Sequence, residues 1–586
     1  MRRELGLSAL LVVVTLAVYC RVCRFGFLIF DDPACVTENS HVLAGLSPSG
    51  LRWAFTTFFF ANWMPLTWLS LMLDGTCFGT WPGGYHITNL LLHTASVLVV
   101  FATFTRATGD RLRSAFVAVL FAVHPLNVES VAWVAERKGA LSMVFGLLSL
   151  YAYVRHARGG RSGQLMLSFF FFVCSLLSKA TFVTLPFVFL LFDVWPLRRL
   201  MGQSDVVPAS SRHPRIGRLI LEKVPFLIGG AAFSVVAFLS QSSGGALRSL
   251  TVLPLWARVT NAITVYGLYL RQAVIPIDLA PIYPHPGAGV SLAGGAASFV
   301  FLCLVTTVAI TERRRRPFLL IGWLWYLGTL LPMIGLVQVG VHRMADRYTY
   351  FPLLGLYMAV AWLAPSLAPV LVPIASLRKW VIPAIAAGIV GVYASLAFVQ
   401  AGYWCDSLTL FQHALAATED NPRTRLALGS ALLERGRYQE SIAQLRQAVQ
   451  MDPADAQIHF VLACGLQQAE CWDQAAAEHR ASLAIDEQNA PAHNDLGLIL
   501  FKQRRYAEAK RELMRATELD ENDLPAWVNL ALLSGEVREF GDSIAYSRRA
   551  LQLDPSLVVC RRLMETAFRA QGRLVEAQQL SDGFRD

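Results

Sequence analysis

The sequence predicts an all-α protein in two unlike parts, a polytopic membrane body of about 11 transmembrane helices followed by a helical solenoid. Three observations carry this. The first is a series of apolar segments matched to a hydrocarbon core of about 30 Å, which takes about 20 apolar residues to cross. The second is a break in composition at Tyr403: residues 1–403 hold 31 Lys+Arg and 14 Asp+Glu, whereas residues 404–586 hold 20 and 27. The third is self-similarity at a period of 34 residues in the second part.

Composition excludes several classes at once. With 55% hydrophobic residues, 16% charged and a mean hydropathy of +0.45, the 586-residue chain is neither disordered, collagen-like nor a small disulfide scaffold. Of its ten cysteines, Cys20, Cys23, Cys77, Cys174 and Cys303 lie in or beside apolar segments, so no disulfide framework can be read. The net charge of +10 does not imply nucleic acid as a partner. Most of the positive charge flanks apolar segments, where membrane topology requires it.

In chain order the spans are predicted near 5–23, 86–105, 114–133, 139–154, 164–179, 181–196, 224–241, 291–310, 317–337, 350–373 and 381–400. The first follows Arg2 and Arg3 and lacks a small-residue cleavage site, which makes it an anchor rather than a removed signal peptide. Lys/Arg placement predicts a cytoplasmic N-terminus. Arg2, Arg3, Arg106, Arg111, Arg113, Arg155, Arg158, Arg161, Arg198, Arg199, Arg212, Arg215, Arg218, Lys223, Arg313 to Arg316, Arg378 and Lys379 then gather on one side, 20 of the body's 31 basic residues. Residues 251–275 are interrupted by Arg258, Asn261 and Arg271 and would turn the Arg313–Arg316 run outward if they spanned, so an interfacial or re-entrant helix is expected. The tail is thereby placed outside the cytoplasm.

This topology sorts the polar residues. Eight of the body's 14 carboxylates fall on the outer side: Asp31, Asp32, Glu38, Asp74, Glu129, Glu136, Asp278 and Asp346. Two outer loops stand out, an aromatic-rich one at 24–85 opening with FDDPACVTEN and GVHRMADRYTYFP at 340–352. His86, Asn89 and His93 lie at the outer end of the second span, and His124, Asn127, Glu129, Glu136, Arg137 and Lys138 at that of the third. Ionisable residues at membrane depth are costly and mark function.

In the tail, Leu428, Leu462, Leu496 and Leu530 recur every 34 residues, followed each time by a small residue (Gly429, Ala463, Gly497, Ala531) that lets two helices approach. Tyr438, Trp472, Tyr506 and Phe540 open each second helix, and Asp452, Asp486, Asp520 and Asp554 close it. This is the tetratricopeptide (TPR) pattern, in units 422–455, 456–489, 490–523 and 524–557 with a partial fifth at 558–586. Such units bury their apolar faces against one another and form a grooved solenoid, which predicts peptide or protein binding. Residues 404–421 are expected to cap the array and link it to the body.

The chemistry centres on the outer face. Asp31 and Asp32 follow the first span directly, and a carboxylate there can take a hydroxyl proton or hold a metal ion. Arg137, Lys138, Arg343 and Arg347 on the same side are suited to neutralising a phosphate. Together they fit the attack of a hydroxyl on a sugar carried by a lipid phosphate. No P-loop, HExxH, GxSxG or dinucleotide fingerprint occurs.

The body resembles the transmembrane and TPR repeat-containing (TMTC) family of O-mannosyltransferases and its bacterial relatives. The matching segments are FDDP (30–33), NWMPLTWLSLMLD (62–74), YHITNLLLH (85–93), HPLNVESVAWVAERKGALS (124–142), RQAVIPIDLAPIYPHP (271–286), HRMADRYTYFP (342–352) and YWCDSLTLF (403–411). The resemblance implies a GT-C-type membrane glycosyltransferase over residues 1–403, with a polyprenyl-phosphate sugar as donor and a protein acceptor recruited by the repeats. It makes Asp31 or Asp32 the base and His124, Glu129, Arg137, Lys138, Arg343, Asp346 and Arg347 the donor-binding candidates. No metal site or resident cofactor is identified, and a divalent metal is left open. Gly139 stands where relatives often carry a carboxylate, so a polar contact is expected to be missing. The Arg/Ala/Leu-rich composition points to a bacterial inner-membrane protein. Two rival readings stand beside this one, a membrane-anchored TPR scaffold without catalysis and a glycan ligase or polymerase.

Overall fold

The computed structural model describes residues 2–160, 163–200, 216–243, 253–338, 340 and 342–582. Arg161, Arg212 and Arg215 of the predicted cytoplasmic loops, the first two residues of 251–275, residue 341 of the second outer loop and the last four residues of the partial repeat lie outside them. The described residues form helices apart from one short antiparallel pairing, Tyr283–Pro284 with His342–Met344. Two compact units divide after Glu419.

In the first unit every predicted span coincides with helix, and several apolar helices make the chain a multi-pass membrane protein. Among the described residues six helices, within Arg2–Arg24, Pro82–Thr108, Ile216–Ser243, Leu292–Arg314, Leu353–Leu371 and Ala375–Gly402, are long and apolar enough to cross unaided. Fewer elements than the expected eleven qualify, because prolines and polar residues shorten some helices and lower the apolar character of others, such as the 21-residue Arg137–Ala157. The third span breaks at His124–Pro125 into two helices inclined at 57°. The residue before proline disfavours helical backbone, and His124 is extended (φ −70°, ψ 129°). Gly163–Ser178, Ala180–Val194 and Pro317–Met333 are shorter apolar helices. Helix Leu255–Val274, within the expected interfacial segment, buries Arg258, Asn261 and Tyr269 among its core-facing residues.

Small residues hold these helices together, as expected where lipid removes the hydrophobic drive for helix association. Ser142 and Ser175 exchange hydroxyl–carbonyl hydrogen bonds of 2.9 and 2.8 Å, and Ser149 and Ser168 repeat the exchange at 2.7 and 2.8 Å. This zips Arg137–Ala157 to Gly163–Ser178 along their length. Elsewhere Gly322 and Gly355 meet so closely that a Cβ on either would come within 2.3 or 2.5 Å of the other's carbonyl oxygen.

Residues 404–419, expected to cap the repeats, belong to the body. Helix Ser407–Ala417 is capped by Asp406, whose carboxylate accepts the Thr409 amide at 2.9 Å. The Ser407 hydroxyl accepts the Ile29 amide at 3.0 Å, His413 pairs with the Leu279 carbonyl at 3.0 Å, and Phe411 meets Phe30. The helix thus closes over the first loop.

The second unit is the expected array of helix pairs, Pro422–Glu434 with Tyr438–Met451 through Val558–Ala570 with Leu574–Asp582. Two further 34-residue registers appear. Asn421, Asp455, Asn489 and Asp523 cap the first helix of each pair by accepting a first-turn amide. Gly436, Glu470, Arg504, Arg538 and Gly572 take the left-handed turn between paired helices, with φ of 60–76°.

Candidate active site

The site is built where the first loop folds back on the segment between the third and fourth spans. Asp32 is fully buried, with one carboxylate oxygen accepting the Leu28 amide and the other the Ala135 amide, each at 2.9 Å. It ties the loop to the 133–136 turn. Burial pushes its carboxyl up to about 7 against the opposing effect of the two amides.

Asp31, one residue earlier, makes no side-chain hydrogen bond or ion pair among the described residues. Burial raises its pKa, and the Lys138 and Arg347 charges oppose the rise. Lys138 likewise has no hydrogen bond or ion pair among the described residues; its ammonium lies 5.9 Å from the Trp133 ring centroid. The Arg347 guanidinium lies 5.4 Å from the same ring, and Phe30 stacks on it at 5.1 Å. Trp133 is therefore the floor on which the charged groups converge.

The other charges here are paired. Arg347 forms an ion pair with Glu129, whose second oxygen accepts the Arg347 amide at 2.8 Å. Lys179 pairs with Glu136, and the other Glu136 oxygen lies 4.0 Å from the Arg347 guanidinium. Two cations thus face two carboxylates, with Asp31 and Lys138 left over among the described residues. A Cβ at Gly139 would come 2.2 Å from the Glu136 carboxylate, so the missing side chain at 139 leaves room for this acid.

The remaining candidates are engaged elsewhere. Arg137 is fully buried and donates to Asp74 at 2.6 Å, to the Tyr85 carbonyl at 2.8 Å, to Ser70 at 2.9 Å and to Asn89. His124 accepts the Leu126 amide at 3.3 Å and bonds the Ala273 carbonyl at 3.1 Å, holding the broken span against the Leu255–Val274 helix. Asp346 accepts the Tyr283 hydroxyl at 2.8 Å. Arg343 lines a separate cavity of about 260 Å³ with Arg271, Gln272, Asp278, Tyr283 and Glu419. The structure therefore brings Asp31, Asp32, Glu129, Lys138 and Arg347 together, sets Asp346 beside Glu129 and Arg347, and leaves Arg137, His124 and Arg343 outside that group. Among the described residues no group of three or more His, Cys, Asp or Glu could hold a metal ion.

Comparison with known proteins agrees with this architecture. Two family models match the second unit, "TPR repeat" over residues 429–463 and "Tetratricopeptide repeat" over 490–523. Protein O-mannosyl-transferase TMTC1 of Mus musculus is 32% identical over 212 residues, 32% of this chain and 22% of that protein. Protein O-mannosyl-transferase TMTC4 of Homo sapiens is 23% identical over 487 residues, 74% of this chain and 65% of that protein. The chain matches a TMTC-like family. Its aligned segments span 22–28% of the length of the TMTC1 relatives from mouse, human and Drosophila melanogaster. Among solved structures, the crystal structure of MamA protein covers 28% of this chain and 88% of its own at 17% identity, with a TM-score of 0.27.

Sequence reasoning did not single out Lys179 or Trp133 in this TMTC-like body. Lys179 carried a usable signal, being the only cation between Arg161 and Arg198 in a run of apolar residues. Trp133 carried none, since its place under two cations depends on contacts far apart in the chain.

Proposed function

We propose that the chain is an integral-membrane glycosyltransferase that moves a sugar from a lipid-phosphate carrier to a hydroxyl of a protein acceptor. The observation that carries this is that Asp31 and Lys138, whose charges interact, have no hydrogen bond or ion pair among the described residues, with the Lys138 ammonium over the Trp133 ring. A carboxylate with no hydrogen-bond donor among the described residues has capacity for a proton, and an ammonium in no ion pair among them has capacity for an anion. In the step we derive, the acceptor hydroxyl gives its proton to Asp31 as its oxygen bonds the anomeric carbon. The bond from that carbon to the phosphate oxygen breaks, and the phosphate leaves with the electron pair. Lys138, Lys179 and Arg347 neutralise it. Asp32 is a positioning residue, holding Asp31 against the 133–136 turn.

Mannose is the sugar that the relatives' names support, and the repeats supply a groove for the protein acceptor. The reading keeps the N-terminus cytoplasmic and the site and repeats on the outer side of a bacterial inner membrane, with a GT-C-type body. The test is transfer of label from polyprenyl-phosphate mannose to extracytoplasmic protein by the full chain in lipid. Asp31→Asn lowers transfer by orders of magnitude with membrane insertion intact, and Asp32→Asn lowers it while also lowering the melting temperature. Because burial raises the Asp31 pKa, wild-type activity rises with pH along an acid limb displaced above the ordinary carboxylate range. Full transfer by Asp31→Asn would overturn the assignment.

A further inference from the structure

The cavity of about 260 Å³ lined by Arg343 has room for about nine waters, enough for an amino-acid side chain and its backbone. Its walls come from the end of the Leu255–Val274 helix, the turn after it, the short strand pairing and the end of the Ser407–Ala417 helix. Gln272 donates its side-chain amide to the Tyr283 hydroxyl at 3.3 Å, and its side-chain oxygen is buried without a donor among the described residues. The Arg343 Nε is likewise buried without an acceptor. Neither the Arg343 nor the Arg271 guanidinium makes a hydrogen bond or ion pair among the described residues; the Glu419 charge acts on Arg343 without one. The Asp278 carboxylate makes none either, and its backbone is left-handed (φ 56°), a conformation that costs a residue with a side chain. Buried polar atoms left unmatched are costly, so this lining is completed by a ligand that both accepts and donates.

The cavity wall reaches the active site at two points. Tyr283 donates to Asp346 at 2.8 Å, beside Glu129 and Arg347. The Ser407–Ala417 helix touches Phe30, the neighbour of Asp31, through Phe411, and Ala417 on the cavity wall lies six residues, or about 9 Å, further along it.

We propose that this cavity binds an acidic residue of the acceptor polypeptide, its carboxylate taken by Arg271 and Arg343 and its backbone N–H by Gln272. The inference rests on the transferase reading and names a residue class by which the acceptor is chosen. Guanidinium groups meet a carboxylate with paired N–H donors, and the Gln272 oxygen adds a demand that a peptide N–H fills. Asp278 and Glu419 on the same lining repel a multivalent anion, so the charge balance favours a single carboxylate. An extended chain advances about 3.3–3.6 Å per residue, which places the acid about three residues from the hydroxyl that meets Asp31.

The test uses the full chain in phosphatidylcholine nanodiscs and fluorescent Ser/Ala peptides carrying one Glu or one Gln three residues from a serine, with binding read by anisotropy. The Glu peptide is expected to bind about tenfold more tightly, the gain of one charge-assisted contact. Arg271→Gln and Arg343→Gln each remove most of that preference, leave the affinity for the Gln peptide unchanged and melt with the wild type. Arg271 is exposed, so its variant tests the site even if Arg343→Gln fails to fold. A photoreactive group beside the Glu is expected to label residues 268–284, 343–344 and 417–419. Equal affinity for the two peptides overturns the proposal, as does label confined to the repeat unit. Complete competition by mannose would make this a carbohydrate site, and competition by inorganic phosphate as strong as by the Glu peptide a simple anion site; either result overturns it. Glu-dependent binding by a chain that transfers no sugar upholds the inference while the transferase reading falls, and transfer indifferent to the Glu does the reverse.

Discussion

The two ends of the Arg137–Ala157 helix hold buried charge in opposite conditions. At its C-terminal end, Asp193 accepts the Tyr153 hydroxyl at 2.7 Å, Lys223 at 2.5 Å and Arg199 at 3.2 Å. Arg199 also pairs with Glu222 at 2.8 and 3.0 Å, and His156 lies 3.5 Å from the same acid. Every charged member of that cluster has a partner. About 27 Å away, at the rise of 1.5 Å per residue from Lys138 to His156, the other end leaves Asp31 and Lys138 without a hydrogen bond or ion pair among the described residues. Burial of charge is common to both ends, so it does not distinguish a structural network from a reactive one. Unused hydrogen-bonding capacity does.

The sharpest way to break this comparison is to neutralise one charged group at each end. Asp31→Asn is expected to cost transfer about 10²–10⁴-fold, the usual worth of a general base, with the melting temperature in detergent unchanged. Lys223→Met should do the reverse. It leaves Asp193 short of a partner, costs about 3–5 kcal/mol of stability, and leaves the activity per folded molecule intact. If Lys223→Met silenced the folded enzyme, the two ends would be one functional system. Gly139→Ala comes next. Its methyl group displaces Glu136 from its present position, and loss of the Lys179 pair is expected to lower transfer by about tenfold, seen as a KM effect on the lipid donor.

The smallest effect lies in the repeats. Asp495 is raised to about 6, first by burial, although Asn494 donates to it at 3.1 Å. A carboxyl raised in the folded state contributes stability below its unfolded pKa and loses it as pH rises through the folded one. The array should therefore gain stability on going from pH 7 to pH 5. Asp495→Asn should flatten that slope and raise the pH 7 melting temperature by about 2–4 °C, read on the full chain by the repeat-unit transition.

How much of this the sequence disclosed follows from the range of the interactions involved. The 34-residue register showed itself because each repeat solves the same local packing problem, and Gly429 and Gly497 meet Leu445 and Leu513 in the same way. The helical body showed itself because apolar length is a local property, while the broken third span needed only His124–Pro125. The choice between Asp31 and Asp32 was not legible. The two are chemically equal neighbours, and what separates them is the Ala135 amide, 103 positions further along the chain from Asp32. Arg199 and Lys223 read as solvated loop charges, yet they close on Asp193 across two helices. Residues 404–419 have the periodicity of a repeat helix but find their partners in the first loop.

Gly139 has a bearing on how such a site changes over generations. Its lack of a side chain keeps Glu136 seated, so the electrical balance of Lys138, Lys179 and Arg347 against the neighbouring acids depends on a position that contributes no charge itself. A carboxylate introduced at 139 would force Glu136 to shift and bring a further acid to the same three cations. Exchange at this one backbone position is thus a tuning control for how strongly the site attracts anions, available without altering any residue that meets the substrate.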